Sequence, residues 1–421
     1  MTDPIYEIKF ACRVCKGSLD TVLKLGDHYL PGWPLPDEPD PPKAPLELTQ
    51  CRTCGLVQLR HTVNRDLLYR DYWYESGVNS TMRMHLANIM AEANIRTPLK
   101  PRDVVLDIGA NDGTLLSYYP PGLRCVGFDP ASLVHDRTTK SLGTWRHYEG
   151  SDRPEWTHIQ DFFSADGYFR VIKEKAKCIT AIAMFYDLDD PNAFLQDVKQ
   201  VLHPEGLFVL EMNTLPYLLQ GAFDIIGHEH LTYWDGLGLY EVLAKHGLSI
   251  FDSSFSALNG GSQRLYARLG TPRSVASEET KRGNLEFYDF TRRLEQLKHA
   301  TVGLLKDIQA EGKTIYVLGA STRGHTLLQY YGLDSRLIAK ASDRNPRKHG
   351  RRIAGTGIPI ISNEQMREEK PDYVLVLPWS FRDEILEREK ELLEQGTRFI
   401  FPLPKLEIVD RETPLALTKE R

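Results

Sequence analysis

The chain has 421 residues, 26% of them charged, and a formal net charge of −5 at pH 7. This length provides for two or three domains of about 100–200 residues each. The weakly acidic balance argues against a nucleic-acid partner, and no apolar run reaches the ~18 residues that a membrane span needs. The first residues lack the basic and apolar pattern of a secretory leader. We therefore expect a cytoplasmic protein that is a monomer or a small homo-oligomer.

Four of the six cysteines form two Cys-x-x-Cys pairs, which comprise Cys12, Cys15, Cys51 and Cys54. In a reducing compartment such thiols favour metal binding over disulfides. Two pairs supply the four thiolates of one tetrahedral Zn²⁺ site. Because a closed site leaves no open ligand position, we predict a structural zinc that holds together a lobe with little core of its own. This zinc-binding lobe, with a connector, is assigned to residues 1–95.

The connector is aromatic and polar around Tyr74 and Asn79. These residues are candidates for a substrate platform, and packing between domains is the alternative. A helix is predicted to follow, with Ser80 or Thr81 as its cap and Met84 on its apolar face.

Residues 104–116 have the pattern of a buried strand, a glycine loop and a helix that begins at Thr114. A strand buried on both faces is a continuous apolar run, and open α/β sheets bind nucleotides at such a turn. The spacing Asp107-x-Gly109-x-x-x-Gly113 differs from the dinucleotide fingerprint and is typical of methyltransferases that use S-adenosylmethionine (SAM). A generic Rossmann turn, with NAD or nothing bound, is the alternative. The same loop adds the candidate cofactor-binding residues Asn111 and Asp112.

The next strand ends at Asp129, which we predict accepts hydrogen bonds from both ribose hydroxyls of the cofactor. Two later segments offer rings and polar acceptors for the adenine and methionyl groups. Their candidate residues are Asp161, Phe162, Phe163, Met184, Phe185 and Tyr186. The order of these elements predicts a SAM-dependent methyltransferase domain over residues 96–275.

The candidate chemistry lies at His228, Glu229 and His230. Two imidazoles and a carboxylate at a strand–helix junction suit acid and base catalysis near neutral pH. The spacing is not that of a zinc protease, whose histidines are four residues apart on one helical face. Further along, a glycine-rich turn either brings amide groups close to a substrate or forms a simple hairpin. The substrate-binding candidates here are Asn213, Asn259, Gly260 and Gly261.

Residues 276–421 begin with a charged helix and continue as a second Rossmann-like unit. In its first turn, residues 319–324, Ser321 and Arg323 precede or open a helix. Amide groups and a guanidinium at a helix N-terminus form a phosphate site, so both residues are substrate-binding candidates. A domain that only packs against the others is the alternative.

Taken together, the chain resembles the three-domain sugar C-methyltransferases that act on nucleotide-linked deoxysugars, as in tetronitrose biosynthesis. The resemblance rests on both cysteine pairs and on residues 54–59, 107–113, 228–231, 260–262 and 319–324. It implies an α/β protein with a zinc-binding lobe, a central class I (Rossmann-like) methyltransferase domain and a second Rossmann-like domain that helps to bind a dTDP- or GDP-linked sugar. It also implies methylation at C-3, beside a 4-keto group, with His230 as the base and His228 and Glu229 tuning it.

Two positions depart from the family pattern. Gly227 stands where the family usually has Tyr, and Asp187 stands where it tends to have His. Asp187 is therefore a candidate acid, base or substrate ligand, or else a helix cap. O- or N-methylation of a sugar, and a non-catalytic zinc-ribbon protein that senses SAM, remain alternative functions.

Overall fold

The computed structural model describes residues 4–70, 72–131, 144–145, 155–256, 261–271 and 285–413. The N-terminal region has five strands, β1 (Tyr6–Ile8), β2 (Leu19–Tyr29), β3 (Lys43–Cys51), β4 (Val57–Leu59) and β5 (His61–Val63). Two helices follow, α1 (Arg65–Tyr69) and α2 (Ser80–Arg96). Strands β1 and β5 pair antiparallel, while β2, β3 and β4 form a separate antiparallel sheet.

Helix α2 begins one or two residues earlier than predicted, because Asn79, and not Ser80 or Thr81, is its N-cap and accepts a hydrogen bond from the amide of Thr81. Met84 is 67% exposed, so its assignment to the apolar face is wrong. The buried face instead carries Met82, Leu86, Ile89 and Ala93. These residues recur at helical spacing and pack against the central sheet.

The central region begins with β6 (Val104–Ile108), β7 (Arg124–Phe128), β8 (Thr144–Trp145), β9 (Glu155–Ile159), α3 (Ala165–Val171), β10 (Ala176–Ile182), α4 (Pro191–Val201) and β11 (Leu202–Asn213). It continues with α5 (Leu215–Leu219), β12 (Thr232–Tyr233), α6 (Gly236–Lys245), β13 (Leu248–Ser256) and β14 (Ser262–Leu269). Eight of these strands form one sheet in the order β13-β14-β11-β10-β6-β7-β9-β8. Its middle strands, β11, β10, β6, β7 and β9, are parallel, as the continuous apolar sequence of β6 predicted.

No α-helix begins at Thr114, and this prediction is wrong. The segment instead turns through a short 3-10 helix at Leu116–Tyr118. The carboxylate of Asp112 accepts hydrogen bonds from the amide and the hydroxyl of Thr114 and from the amide of Gly77. The helical turn ends at Tyr119, whose extended backbone is the conformation favoured before a proline, here Pro120.

The C-terminal region has a long helix, α7 (Leu285–Ala310), and then an alternation of β15 (Ile315–Leu318), α8 (Thr322–Tyr331), β16 (Lys340–Asp343), β17 (Ile360–Ser362), α9 (Asn363–Glu369) and β18 (Tyr373–Val376). It ends with α10 (Arg382–Arg388), α11 (Lys390–Glu394), β19 (Arg398–Phe401) and β20 (Glu407–Val409). The sheet order is β17-β16-β15-β18-β19-β20 and all pairs except β19–β20 are parallel. Residues 382–394 form two helices, α10 and α11, with Glu389 between them.

The regions are joined through shared sheets and a shared core. Strand β12 of the central region pairs with β4, so it extends the N-terminal sheet to the order β12-β4-β3-β2. One apolar cluster contains Leu46 and Trp33 of the N-terminal region together with Val317 and Leu328 of the C-terminal region. Within the described residues, no helix is both long and apolar enough to cross a membrane.

Candidate active site

A cavity of about 950 Å³ lies where the three regions meet. The N-terminal region contributes Tyr69 and Tyr74 to its lining, the central region contributes Gly109 and His230, and the C-terminal region contributes Arg323. The volume lies within the usual range for ligand pockets in proteins.

The four predicted zinc ligands converge at the end of the N-terminal sheet. The four Sγ atoms lie within 4.8 Å of one another, with 3.6 Å between Cys12 and Cys54 and 3.4 Å between Cys15 and Cys51. A tetrahedral site with Zn–S bonds of about 2.3 Å has sulfurs about 3.8 Å apart. Amides donate to two of these sulfurs, from Gly17 to Cys15 and from Thr53 to Cys51. The cluster therefore fits a closed, structural Zn²⁺ site.

This zinc lobe holds the loop that carries the two candidate histidines. Strand β12 follows that loop directly, and the amide of Leu59 in β4 donates to the carbonyl of Leu231. Between two zinc-ligand cysteines, the buried Arg13 donates to the carbonyl of Leu59 and to Asp189, which lines the cavity. The cysteine cluster is thus linked through Arg13 to Asp189 in one wall of the cavity.

The first turn of the central sheet opens to the cavity through Asp107, Gly109 and Asn111. Gly109 has φ +74, and a Cβ built there would lie 3.2 Å from Met184, so this position requires glycine. Asp129, at the end of the next strand, lines the cavity and accepts hydrogen bonds from the amides of Asn111 and Ala131.

Asp107 is almost fully buried, and the hydroxyl of Thr180 donates to it over 2.6 Å. Burial raises the pKa of Asp107 to about 7.

Three predicted cofactor residues do not face the cavity. Asp112 is engaged by Gly77 and Thr114, as described above. Gly113 packs against the ring of Trp156, where a Cβ would lie 2.7 Å from the nearest carbon. Phe185 is fully buried against Phe194 and Trp234. Each of these residues packs within the turn or the core instead. The structure therefore does not support the prediction that these three residues contact the cofactor.

The remaining cofactor candidates, Asp161, Phe162, Phe163, Met184 and Tyr186, all line the cavity. Arg65 of α1 lies over the ring of Phe162 at 3.9 Å, and the ring of Tyr69 meets it edge-on. The N-terminal region therefore covers this end of the cavity.

His230 lines the cavity, and its ring centroid lies 4.0 Å from that of Tyr186. Burial and, to a smaller extent, the charge of Arg323 lower the pKa of His230 to about 3, against the opposing effect of a hydrogen bond with the backbone of Ile225. A carbonyl partner fixes one ring nitrogen as a donor and leaves the other nitrogen as an acceptor. The imidazole is neutral, as a base must be.

The two neighbours of this histidine differ in orientation. His228 also lines the cavity, and its Nε2 lies 3.0 Å from the carbonyl of Ala44 in the N-terminal sheet, while burial lowers its pKa to about 4. Glu229 does not line the cavity, and burial raises the pKa of its carboxyl. A Cβ at Gly227 would lie 3.0 Å from Glu229 Oε2, so a tyrosine there would displace this carboxyl.

Asp187 lines the cavity, and within the described residues its Oδ1 is buried without a hydrogen-bond partner. Burial raises the pKa of this carboxyl well above its ordinary value, and the nearby charge of Glu229 raises it further. Burial therefore favours the protonated form of Asp187, which can donate a proton or a hydrogen bond.

Sequence reasoning missed His85 and Glu211, which both line the cavity. His85 Nε2 lies 2.5 Å from Glu211, whose other oxygen accepts from Arg264 at 2.5 Å. The surrounding hydrogen bonds and charges lower the pKa of Glu211 despite its burial. No local pattern signals this triad, because its members come from three elements far apart in the sequence.

Only some of the predicted substrate-binding residues line the cavity. Tyr74, Asn213 and Arg323 line the cavity. Asn79 caps α2 and Gly261 packs against Tyr217, so neither faces it. Asn259 and Gly260 lie outside the described residues.

Ser321 is the N-cap of α8, with its hydroxyl accepting from the amide of Gly324, and it does not line the cavity. The amide of Ala320 donates to Asp343, and the indole of Trp33 donates to the carbonyl of Ala320. The predicted phosphate site at this turn is therefore filled by the protein itself, and only Thr322 and Arg323 reach the cavity.

Comparison with known proteins agrees with this arrangement. Residues 12–69 match the family described as "Putative zinc binding domain", residues 82–252 match "Methyltransferase domain", and residues 257–404 match "C-methyltransferase C-terminal domain". Among solved structures, the magnesium protoporphyrin IX methyltransferase ChlM from Synechocystis PCC 6803 with bound SAM is 12% identical, covering 44% of this chain and 79% of that chain at a TM-score of 0.31. The N-methyltransferase NodS from Bradyrhizobium japonicum WM9 is 13% identical, covering 46% and 98% at a TM-score of 0.32.

A curated relative matches over the full arrangement. The C-methyltransferase NovU of Streptomyces niveus is 31% identical over 426 aligned residues, which cover 96% of this chain and 98% of NovU. The chain therefore belongs to the SAM-dependent C-methyltransferase family that includes NovU.

Proposed function

We propose that the protein transfers a methyl group from SAM to the carbon beside the keto group, C-3, of a nucleotide-linked 4-keto-6-deoxy sugar. The observation that carries the proposal is the neutral imidazole of His230 in the same cavity as Gly109 and Asp129. A proton beside a ketone is acidic enough for a side-chain base to remove, which a C-methyltransferase requires and an O- or N-methyltransferase does not.

In this reaction His230 removes the proton from C-3, and the electrons of that C–H bond form the enolate. The enolate carbon then takes the methyl group, the S–CH₃ bond breaks with its electrons remaining on sulfur, and the ketone is restored. In this proposal Asp187, which lines the cavity, donates a hydrogen bond to an oxygen of the sugar, and His228 and Glu229 support the loop of the base. The residues lining the first turn of the central sheet hold the methyl donor.

The test is mass spectrometry after incubation of the protein with SAM and a panel of dTDP- and GDP-linked 4-keto-6-deoxy sugars. We expect one member to gain one methyl group, bonded to carbon when examined by NMR. His230→Ala should reduce turnover by about 10²–10⁴-fold, the usual contribution of a general base, while SAM binding persists.

His246→Gln is the matched control, because His246 is also buried but does not line the cavity. Full turnover by His230→Ala, or methylation of oxygen in the product, would disprove the proposed chemistry.

A further inference from the structure

Formation of an enolate places negative charge on the ketone oxygen, and that charge needs a partner in the cavity. The resemblance assigns a tyrosine near the base, but this chain has Gly227 there. A positively charged group beside His230 is therefore the feature to look for. The inference below rests on the proposed function.

Arg323 is that group. It is the second residue of α8, and the hydroxyl of Thr326 in the same helix donates to the carbonyl of Ile226, just before the loop of the base. This contact docks the N-terminal turn of α8 against residues 223–226. Arg323 lines the same cavity as His230 and Tyr186, and its charge adds to the effect of burial in lowering the pKa of His230.

A buried carboxylate fixes the guanidinium in this position. Arg323 Nε lies 3.2 Å from Asp224 Oδ2, and Nη2 lies 3.3 Å from Asp224 Oδ1. Asp224 is 3% exposed and also accepts a hydrogen bond of 3.0 Å from the indole of Trp379. One hydrogen bond from Nη2 and the ion-pair contact of Nε with the same carboxylate hold the guanidinium beside Asp224.

The nucleotide phosphates are the other natural partner for an arginine at a helix N-terminus. Around this turn, however, the amide of Ala320 is taken by Asp343 and the hydroxyl of Ser321 caps the helix. A phosphate site built from several converging amides is therefore not offered here. What remains is a single guanidinium, held by Asp224 in the cavity that His230 also lines.

We propose that Arg323 stabilises the enolate oxygen that forms when His230 removes the proton from the sugar, and that Asp224 is its positioning residue. The guanidinium stays protonated throughout, so it exchanges no proton and only balances the developing charge. The C-terminal domain thereby completes the active site with a charge.

The test measures exchange of the C-3 proton for deuterium by NMR, with dTDP-4-keto-6-deoxyglucose in D₂O and S-adenosylhomocysteine in place of SAM. If the panel identifies a different sugar nucleotide, that compound is used. Wild-type protein should exchange this proton, and Arg323→Gln should lower the maximal exchange rate about 10²–10³-fold with an unchanged half-saturating concentration. Arg323→Lys, which retains the charge but not the fork, should recover part of the rate, and Asp224→Asn should lie between Lys and Gln.

Arg382→Gln is the matched control, because Arg382 also opens a C-terminal helix, pairs with a carboxylate (Glu407) and has a side chain 25% exposed, as Arg323 has. It should exchange at the wild-type rate. SAM affinity by calorimetry reports whether each variant is folded.

An Arg323→Gln protein that regains the full rate at higher substrate concentration would overturn the proposal and assign Arg323 to phosphate binding. A full rate in Arg323→Gln together with loss in Asp187→Asn would overturn it in favour of Asp187. If the proposed function itself is wrong, wild-type protein exchanges no proton and yields no C-methylated sugar, which is a different result from either.

Discussion

The chain contains the same strand–turn element twice, once after β6 and once after β15. In each turn the first glycine has a positive φ, +74 at Gly109 and +91 at Gly319. In each, the acid that ends the neighbouring strand accepts a 2.8 Å hydrogen bond from an amide of the turn, in one case Asp129 from Asn111 and in the other Asp343 from Ala320. The backbone design of the two turns is therefore equivalent.

What differs is which groups occupy the space above each turn. Asp129 borders the cavity. Asp343 also accepts a hydrogen bond from Lys348, which lies over the ring of Trp33 at 4.2 Å. Trp33 in turn packs on Trp73 and His325. A nucleotide-type turn thus remains a ligand site only where the rest of the chain leaves it open.

Of the changes considered, removal of zinc should have the largest effect on the contrast between the open turn and the filled turn. Chelation removes the metal that holds the N-terminal lobe together. Residues of this lobe fill the turn after β15 and cover one end of the cavity. Because structural zinc sites contribute about 10–16 kcal/mol in small domains, we expect the lobe to unfold and methyl transfer to stop. Metal analysis, thermal unfolding and tryptophan fluorescence, which should shift to the red as Trp33 becomes exposed, measure this.

Restoring Zn²⁺ should restore all three signals. An unchanged melting temperature in protein shown by metal analysis to be zinc-free would contradict the structural role of the cluster.

The second prediction compares the two acids. Asp343→Ala strands the charge of Lys348, which is 7% exposed, and should cost about 3–5 kcal/mol of stability, seen as a lower melting temperature, while SAM affinity is retained. Asp129→Ala should instead weaken SAM binding about 10–100-fold, because it removes hydrogen bonds to a charged group in the cavity. Calorimetric titration and thermal unfolding of both variants separate the effects.

The double variant Asp343→Ala, Lys348→Met should recover stability, since no buried charge is left unpaired. If Asp343→Ala were the variant that lost SAM affinity, the assignment of open and closed turns would be reversed.

Local pattern predicted the parts of the fold that depend on local chemistry. The apolar run of β6, the second Rossmann-like unit and the cysteine spacing all depend on backbone preference or ligand chemistry at short range. The cysteines, Gly109 and Asp129 were named as candidates on the same ground, whereas His230 was named from the cluster at residues 228–230 and from the family resemblance.

The remainder depends on contacts between distant segments. Nothing near Ser321 indicates that Trp33, far away in sequence, fills its turn. Likewise, His85 meets Glu211 only when α2 packs on the central sheet. The helix predicted at Thr114 is shortened to a 3-10 turn that ends before Pro120. Spacing along the chain cannot show the contacts of Trp33 and His85, whereas the proline that ends this turn is visible in the sequence.

The smallest predicted effect is a pH dependence of folding stability, which arises where the N-terminal lobe contacts the other two regions. His228 contacts Ala44 beside the open cavity, and His325 contacts Gly32 beside the closed turn. Burial lowers the pKa of both imidazoles, that of His228 from 6.5 to about 4. Between these two values the unfolded chain binds the proton more readily, so stability falls as pH falls through 6.5.

At pH 5.0 the loss from His228 alone is about 2 kcal/mol. His228→Gln does not titrate and keeps an amide donor for the carbonyl of Ala44. Urea unfolding at pH 7.5 and at pH 5.0 should therefore show this variant losing about 2 kcal/mol less than wild-type protein. His325→Gln should show the same sign, because its ring is also held neutral. Equal losses of stability in all three proteins would mean that neither imidazole is buried in its neutral form. The contacts of His228 with Ala44 and of His325 with Gly32 would then not join the N-terminal lobe to the two turns as described.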